Sequence, residues 1–185
     1  MKTMLALMLI GLLTAAAPAT ASGVQSLPAQ AAEPHKGKLS VQDRNWLRSA
    51  HQANLAEVAA GKLAQRKGTA QSVRQVGKTL VTDHSRLDMQ VKHAAARIGL
   101  DLPGQPNATQ QQHARMLKQK SGSAFDRAFI HLESGRHIRA IELTSKEIHK
   151  GSSPAIKQLA RATEPVLKKH LHQLKNASLK TSGSK

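Results

Sequence analysis

The sequence of 185 residues predicts an all-α protein with four long helices and one short helix. Apolar residues recur three and four positions apart along four long segments, which is typical of helices with one buried face. Glycine, proline and serine residues are concentrated between these segments, where turns are expected. No segment shows the alternation of a strand. The short connections within each pair of long helices predict a four-helix bundle of two antiparallel hairpins, joined by a crossover that contains the short helix.

The first two helices are predicted from the signals at their ends. The first begins at Ser40, where Asp43 follows three residues later as in a capping box, and extends over 40–67. Gly68 then ends it. The second helix is predicted over about 70–98, and another glycine follows it.

The crossover and the third long helix follow. The segment 100–107 contains two prolines and is predicted to be a loop, and a short helix over about 109–118 comes after it. The third long helix is expected to begin at Ser123, with Asp126 three residues later as a cap-like acid, and to end before Gly151.

The fourth long helix is predicted to begin at Ser153 and Pro154, a cap residue followed by proline at the first helical position. It extends to about Ala177. Pro165 lies inside it and is expected to bend it, because proline removes one backbone donor and clashes with the preceding turn.

The two ends of the chain are assigned to other roles. Met4 to Ala17 is an apolar run of 14 residues, shorter than the ~20 that a membrane span needs. A small-residue cleavage pattern ends at Ala21, so 1–21 is predicted to be a signal peptide. We therefore expect a mature chain without a transmembrane span, exported to the periplasm or envelope of a bacterium. Its expected parts are a flexible leader over 22–39, a bundle domain over 40–178 and a disordered tail over 179–185.

The composition restricts the chemistry and the partners. The chain has no cysteine, which excludes disulfides and cysteine-ligated metal sites. Its 28 Lys and Arg against 11 Asp and Glu give a formal charge of +17, which favours association with anionic surfaces or polymers. Aromatic residues make up only 2% of the chain, so specific nucleic-acid recognition by base stacking is not expected.

Each long helix places an ionisable residue near the centre of its apolar face. At 100° per residue, Glu57 lies there in the first helix, His84 in the second, His137 in the third and His170 in the fourth. Glu133 lies one turn before His137. In each hairpin the two central residues are offset by about five positions, or roughly 7 Å along the bundle, which permits a shared cluster without requiring one. Two further acids lie on or beside these faces: Asp88 and Asp126.

Two interpretations of these residues stay open. In one, they form a buried hydrogen-bonded network that fixes the register of the helices. In the other, they bind a metal, and the many histidines favour zinc, copper or nickel over a di-iron centre, whose Glu-x-x-His spacing is missing. The candidate metal ligands are Glu57, His84, Glu133, His137 and His170. Five other histidines lack a partner at helical spacing and are predicted at or near the surface: His51, His93, His113, His131 and His149.

A resemblance to a known family rests on short motifs in a fixed order. They are 54–64 (NLAEVAAGKLA), 83–84 (DH), 100–103 (LDLP), 121–129 (SGSAFDRAF), His137, and Pro165 with His170. Over roughly 40–177 the chain resembles the bacterial domain of unknown function DUF4142, whose members are often labelled "predicted outer membrane protein". The resemblance implies export and a ferritin-like helical bundle. It also implies a set of characteristic polar positions: Glu57, Asp83, His84, Asp126, His137 and His170. We group Asp83 with Asp88 and Asp126 as a predicted polar network.

These observations together predict an exported, non-catalytic envelope or stress-related protein with a buried Glu/His network. One alternative is a ferritin-like metal-binding protein or a metal-dependent oxidoreductase, with a transition metal as its cofactor. The other is a basic protein that binds anionic polymers of the envelope.

Overall fold

The computed structural model describes residues 39–182, which form five helices and no strand. The predicted all-α fold is therefore confirmed. The predicted signal peptide, all but the last residue of the predicted leader, and residues 183–185 lie outside the described residues. The helices are α1 (Val41–Lys67), α2 (Gln71–Arg97), α3 (Ala108–Gln119), α4 (Gly122–Lys150) and α5 (Pro154–Ser182).

The four long helices form the predicted bundle of two hairpins. α1 packs along α2 and α4 packs along α5, while α1 also contacts α4 and α2 contacts α5. The crossover from α2 to α4 contains α3, which contacts α1 and α4. Within residues 39–182, no helix combines the length and the apolar composition needed to cross a membrane.

The helix ends lie close to the predicted ones because most of them depend on local signals. Ser40 and Asp43 form the expected capping box at α1. A second capping box, formed by Asn107 and Gln110, begins α3. α5 extends to Ser182, beyond the predicted end at Ala177, so its last turn includes residues predicted to be tail. Neither glycine nor proline occurs between 166 and 182 to end it earlier.

Asp126 differs from the prediction. It does not cap its own helix α4, and instead caps the start of α2, which has no side-chain cap of its own. The Asp126 carboxylate accepts hydrogen bonds from the backbone N–H groups of Thr69 at 3.0 Å and Ala70 at 2.8 Å, and from the Thr69 hydroxyl. The expectation failed because Gly122, with a φ of 56°, starts α4 one residue earlier and leaves Asp126 facing the neighbouring hairpin.

The core has two apolar layers with a polar layer between them. One apolar cluster contains Leu80, Phe125 and Leu174, and the other contains Trp46 and Ile156. The central ionisable residues of all four long helices lie between these two clusters along the sequence of each helix. The four central residues Glu57, His84, His137 and His170 therefore form a buried polar layer at the middle of the bundle.

α1 and α2 approach each other closely at two glycines. A Cβ atom built on Gly61 would lie 2.6 Å from the carbonyl oxygen of Gly77, and one built on Gly77 would lie 2.7 Å from the carbonyl oxygen of Gly61. Side chains at these positions would push the two helices apart, so the pair sets the spacing of the first hairpin.

Candidate metal centre

Three histidines from three helices meet at the middle of the bundle. His84 of α2, His137 of α4 and His170 of α5 are each at most 2% exposed. Their ring centroids are 5.1 Å apart for His84 and His170, 5.3 Å for His137 and His170, and 5.5 Å for His84 and His137. The structure thus joins the histidines that sequence periodicity placed on separate helix faces.

Each ring is held by a hydrogen bond from one of its two nitrogens. His137 Nδ1 lies 2.8 Å from the backbone carbonyl oxygen of Glu133, which can only accept, so this nitrogen carries the proton. His170 Nε2 donates to the Asp83 carboxylate at 2.9 Å. His84 Nδ1 lies 2.9 Å from Asn54 Oδ1 and donates to it. These contacts assign the tautomer of each neutral ring.

The other nitrogen of each ring then carries a lone pair within the cluster. His137 Nε2 and His170 Nδ1 are 3.3 Å apart, and neither has a proton to share in these tautomers. His84 Nε2 is buried and has no hydrogen-bond partner among the described residues. One nitrogen from each ring can be chosen so that all three lie within 4.8 Å of one another.

Burial opposes protonation of the three rings. Desolvation lowers the pKa of His84 well below its ordinary value, and the neighbouring His137 and His170 lower it further. Desolvation also lowers the pKa of His137, and it lowers that of His170 to about 4 although the Asp83 contact acts in the opposite direction. The cluster therefore presents neutral imidazoles, the form that binds metal ions.

Two buried glutamates lie beside the histidines. Glu57 is 3% exposed and Glu133 is fully buried, and each keeps one carboxyl oxygen without a partner in the described part of the chain. Burial raises the pKa of both carboxyls, and the Glu57 carboxyl raises that of Glu133 still further. Arg136 donates to Glu133 Oε1 at 2.8 Å. Glu57, Glu133 and His137 form a second group of ligand atoms within 4.8 Å of one another.

A pocket of about 600 Å³ leads to this centre from the side where α1, α3 and α4 meet. Glu57, His84 and His137 lie in its wall, together with Arg136 and the apolar side chain of Trp46. His170 is not part of the wall. Glu57, His84 and His137 are thus reachable through this pocket.

Six predicted site residues are brought together, and two are not. Glu57, His84, Glu133, His137 and His170 form the centre, and Asp83 joins it through His170. Asp88 instead bonds to His51 at 2.7 Å, and His51 is buried, so the prediction that it lies at or near the surface is wrong. Asp126 lies at the start of α2, away from the centre.

Sequence reasoning missed two residues of the centre. Asn54, which accepts a hydrogen bond from His84, lies one turn before Glu57 on the same face of α1. Helical periodicity could therefore have identified it as a residue of the centre. Arg136 precedes His137, and its charge suggested a side chain exposed to solvent. The side chain is instead only 14% exposed and pairs with Glu133. Such a contact depends on α3 covering this side of the bundle.

Comparison with known proteins gives one match. No curated protein and no solved structure matches the chain significantly. The model of a family described as a domain of unknown function, DUF4142, matches residues 28–177, which span the whole bundle except the last turn of α5. The chain therefore belongs to the DUF4142 family.

Proposed function

We propose that this protein binds a first-row transition-metal ion through His84, His137 and His170. The observation that supports the proposal is the cluster of three imidazoles, which offer ligand nitrogens within 4.8 Å of one another while one nitrogen of each ring is held by an acceptor. Histidine ligands of metals are oriented in this way, because the second hydrogen bond fixes the tautomer and the ring plane. Among the interpretations considered above, metal binding accounts for this arrangement best.

A purely hydrogen-bonded network fits the contacts less well. Two facing lone pairs repel unless a cation lies between them, and a proton is disfavoured because burial lowers the pKa of all three rings. A metal ion satisfies all three nitrogens at once. The 3.3 Å separation of His137 Nε2 and His170 Nδ1 is close to the edge of a tetrahedron with metal–nitrogen bonds of ~2.1 Å, which is about 3.4 Å.

The donor set indicates which metals fit. Three neutral imidazoles suit zinc, copper, nickel, cobalt or iron, and suit calcium or magnesium poorly because these prefer oxygen ligands. Glu57 and Glu133 offer further carboxylate oxygens beside His137. Three protein ligands leave a coordination position free for another group, as in metal sites that exchange ligands.

The direct test is the metal content of the full-length chain purified without an affinity tag. We expect about one transition-metal ion per chain, and loss of that ion in a His84→Ala, His137→Ala double variant. The matched control is a His93→Ala, His172→Ala double variant, which also removes two helical histidines, both exposed. Helicity measured by circular dichroism shows that each variant is folded.

A spectroscopic measurement adds information on the ligands. Cobalt(II) added to metal-free protein should give visible absorption bands typical of tetrahedral nitrogen coordination, and the control variant should give the same bands. Absence of metal in the purified chain, together with no binding of added zinc, copper, nickel or cobalt, would refute the proposal. Equal metal content in both double variants would refute the choice of ligands.

We also propose that the protein acts outside the cytoplasm. The support is the signal-peptide pattern of residues 1–21, with its apolar run of 14 residues from Met4 to Ala17. The mature N-terminus of the protein recovered from cell fractions tests this. A chain that begins at Ser22 in the periplasmic or envelope fraction is expected, and an uncleaved chain in the cytosol would contradict it.

The basic surface supports a second candidate function, binding to anionic polymers of the envelope. The neighbouring helices α2 and α5 contain eleven Lys and Arg against three Asp and Glu, and most of these cations are exposed. An excess of positive charge on two adjacent helices attracts polyanions. Binding to lipopolysaccharide that weakens steeply between low and physiological salt is expected, and salt-independent binding would contradict this reading.

A further inference from the structure

We propose that an anionic polymer binds over Lys169 and Arg86, on the face that α2 and α5 share, and that its binding tightens the metal site through Asp83. This inference rests on the two proposed functions, metal binding and anion binding, and adds that they are coupled. The arguments are a chain of contacts from solvent to the buried histidines, the sharing of one carboxylate oxygen, and the signs of the charges.

Asp83 connects the surface of the bundle with the histidine cluster. Lys169 Nζ donates to Asp83 Oδ2 at 2.8 Å, and the lysine side chain is 53% exposed. His170 Nε2 donates to the same oxygen at 2.9 Å, and this histidine is fully buried. The other nitrogen of the His170 ring lies 3.3 Å from His137 Nε2. An exposed cation is thus separated from the candidate metal ligands by one carboxylate.

The sequence places this contact at the edge of the buried face of α5. Lys169 and His170 are consecutive, so their side chains leave the helix about 100° apart. His170 therefore enters the bundle, while Lys169 reaches across its edge to Asp83 of α2. Arg86 follows Asp83 by one helical turn and lies 3.6 Å from Asp83 Oδ1, with a side chain that is 61% exposed. Two exposed cations therefore flank one buried carboxylate.

Lys169 and His170 compete for a single acceptor atom. A carboxylate attracts a second donor less strongly when a cation already neutralises part of its charge. The acceptor bond at the second nitrogen of a metal-binding histidine raises the basicity of the ring and orients it. Lys169 therefore reduces the support that Asp83 gives to His170, and it also adds a positive charge beside the metal site.

An anionic group bound to Lys169 and Arg86 reverses this effect. Among residues 39–182, Asp83 is the only partner of either cation, so both keep N–H donors for a further acceptor. The anion neutralises Lys169, leaves the Asp83 oxygen to His170 and adds negative charge near the histidines. All three changes favour a cation bound at the histidines.

The surrounding charge favours a polymer over a single small anion. α2 and α5 contain eleven Lys and Arg against three Asp and Glu, and most of these cations are exposed. One ion pair at an exposed site is weak. A chain of anionic groups gains affinity because it forms many such pairs at once.

The first test is the zinc affinity of Lys169→Gln, measured on the full-length chain by chelator competition. We expect it to be about threefold to tenfold tighter than in the wild type, since a half-exposed charge is partly screened. Lys169→Arg keeps the cation and should bind zinc as the wild type does. The matched control is Lys175→Gln, which removes an exposed cation on the side of α5 next to α4 and should also leave zinc affinity unchanged. A substitution that only disturbed the packing would weaken zinc binding, so a tighter site identifies the coupling.

The second test adds dextran sulfate, with uncharged dextran as the matched polymer. The affinity of the chelator for zinc is measured in the same polymer solutions. We expect dextran sulfate to tighten zinc binding by the wild type about threefold or more at low salt, and to lose this effect at high salt. It should leave the zinc affinity of an Arg86→Gln, Lys169→Gln double variant unchanged. Because coupling is reciprocal, the zinc-loaded wild type should bind dextran sulfate more tightly than the metal-free chain by the same factor.

The outcomes separate this proposal from the two on which it rests. A chain that binds no zinc refutes the metal site and the coupling with it. Zinc binding that is unchanged or weaker in Lys169→Gln overturns the coupling and leaves the metal site standing. Dextran sulfate that binds the wild type without changing its zinc affinity overturns the coupling and leaves anion binding standing. An equal effect of dextran sulfate on the wild type and the double variant overturns the assignment to Lys169 and Arg86.

Discussion

Replacing Asp126 with alanine removes the side-chain cap that this residue provides at the start of α2. In the wild type this buried carboxylate accepts from the backbone N–H groups of Thr69 and Ala70 at 3.0 and 2.8 Å. Loss of a helix cap costs about 0.5–2 kcal/mol, and Thr69 is exposed, so its freed N–H can bond to water. Because Ala70 is half-buried and the Asp126 carboxylate is buried, we expect a loss of about 1–2 kcal/mol in the free energy of unfolding.

The assay is thermal and urea unfolding followed by circular dichroism. For a domain of this size 1 kcal/mol corresponds to about 3 °C, so the Tm of Asp126→Ala should fall by roughly 3–6 °C. Asp126→Asn, which keeps one carbonyl oxygen, should lose about half as much. The matched control is Asp101→Ala in the exposed crossover loop, with an expected change within about 0.5 kcal/mol. Equal Tm values for Asp126→Ala and the control would refute the capping role.

Three further predictions concern pH, metal affinity and helix spacing. Burial raises the pKa of Glu147 to about 7, so the folded chain keeps a proton that the unfolded chain loses above its ordinary value near 4.5. Relative to Glu147→Gln, urea unfolding should therefore show the wild type losing on the order of 1–2 kcal/mol between pH 5 and pH 8, and a constant difference would contradict this. Asp83→Asn should weaken zinc affinity about 10–100-fold in chelator competition, since Asp83 orients His170, while an unchanged affinity would exclude that role. Gly61→Ala should destabilise the chain by more than about 2 kcal/mol because its Cβ would meet backbone at 2.6 Å, whereas Gly104→Ala, with nothing within 4 Å, should be neutral in the same assay.

Much of the candidate site could be inferred from helical periodicity. A histidine or glutamate in the middle of an apolar stripe must face the other helices, and this placed Glu57, His84, His137 and His170 in the interior. Whether the four would meet depended on the register of the hairpins, for which the sequence allowed an offset of roughly 7 Å. The packing of the helices closed that gap for the three rings.

Contacts between residues far apart in the sequence account for the pairs that helical periodicity did not predict. Asp126 lies where a cap of α4 is expected, but its partners are 56 and 57 residues away in the chain. The His51 and Asp88 pair joins residues 37 positions apart on different helices, so neither shows a partner at helical spacing. No local pattern records such pairs.

The sequence by itself determined the helices and their ends, since caps, glycines, prolines and apolar spacing act within a few residues. It also determined which faces are buried, because burial follows from the period of the helix. The tertiary structure alone decided that three imidazoles meet and that a pocket reaches two of them, because both depend on how separate helices are aligned and covered. Alignment is set by packing across the whole bundle, and no single stretch of sequence encodes it.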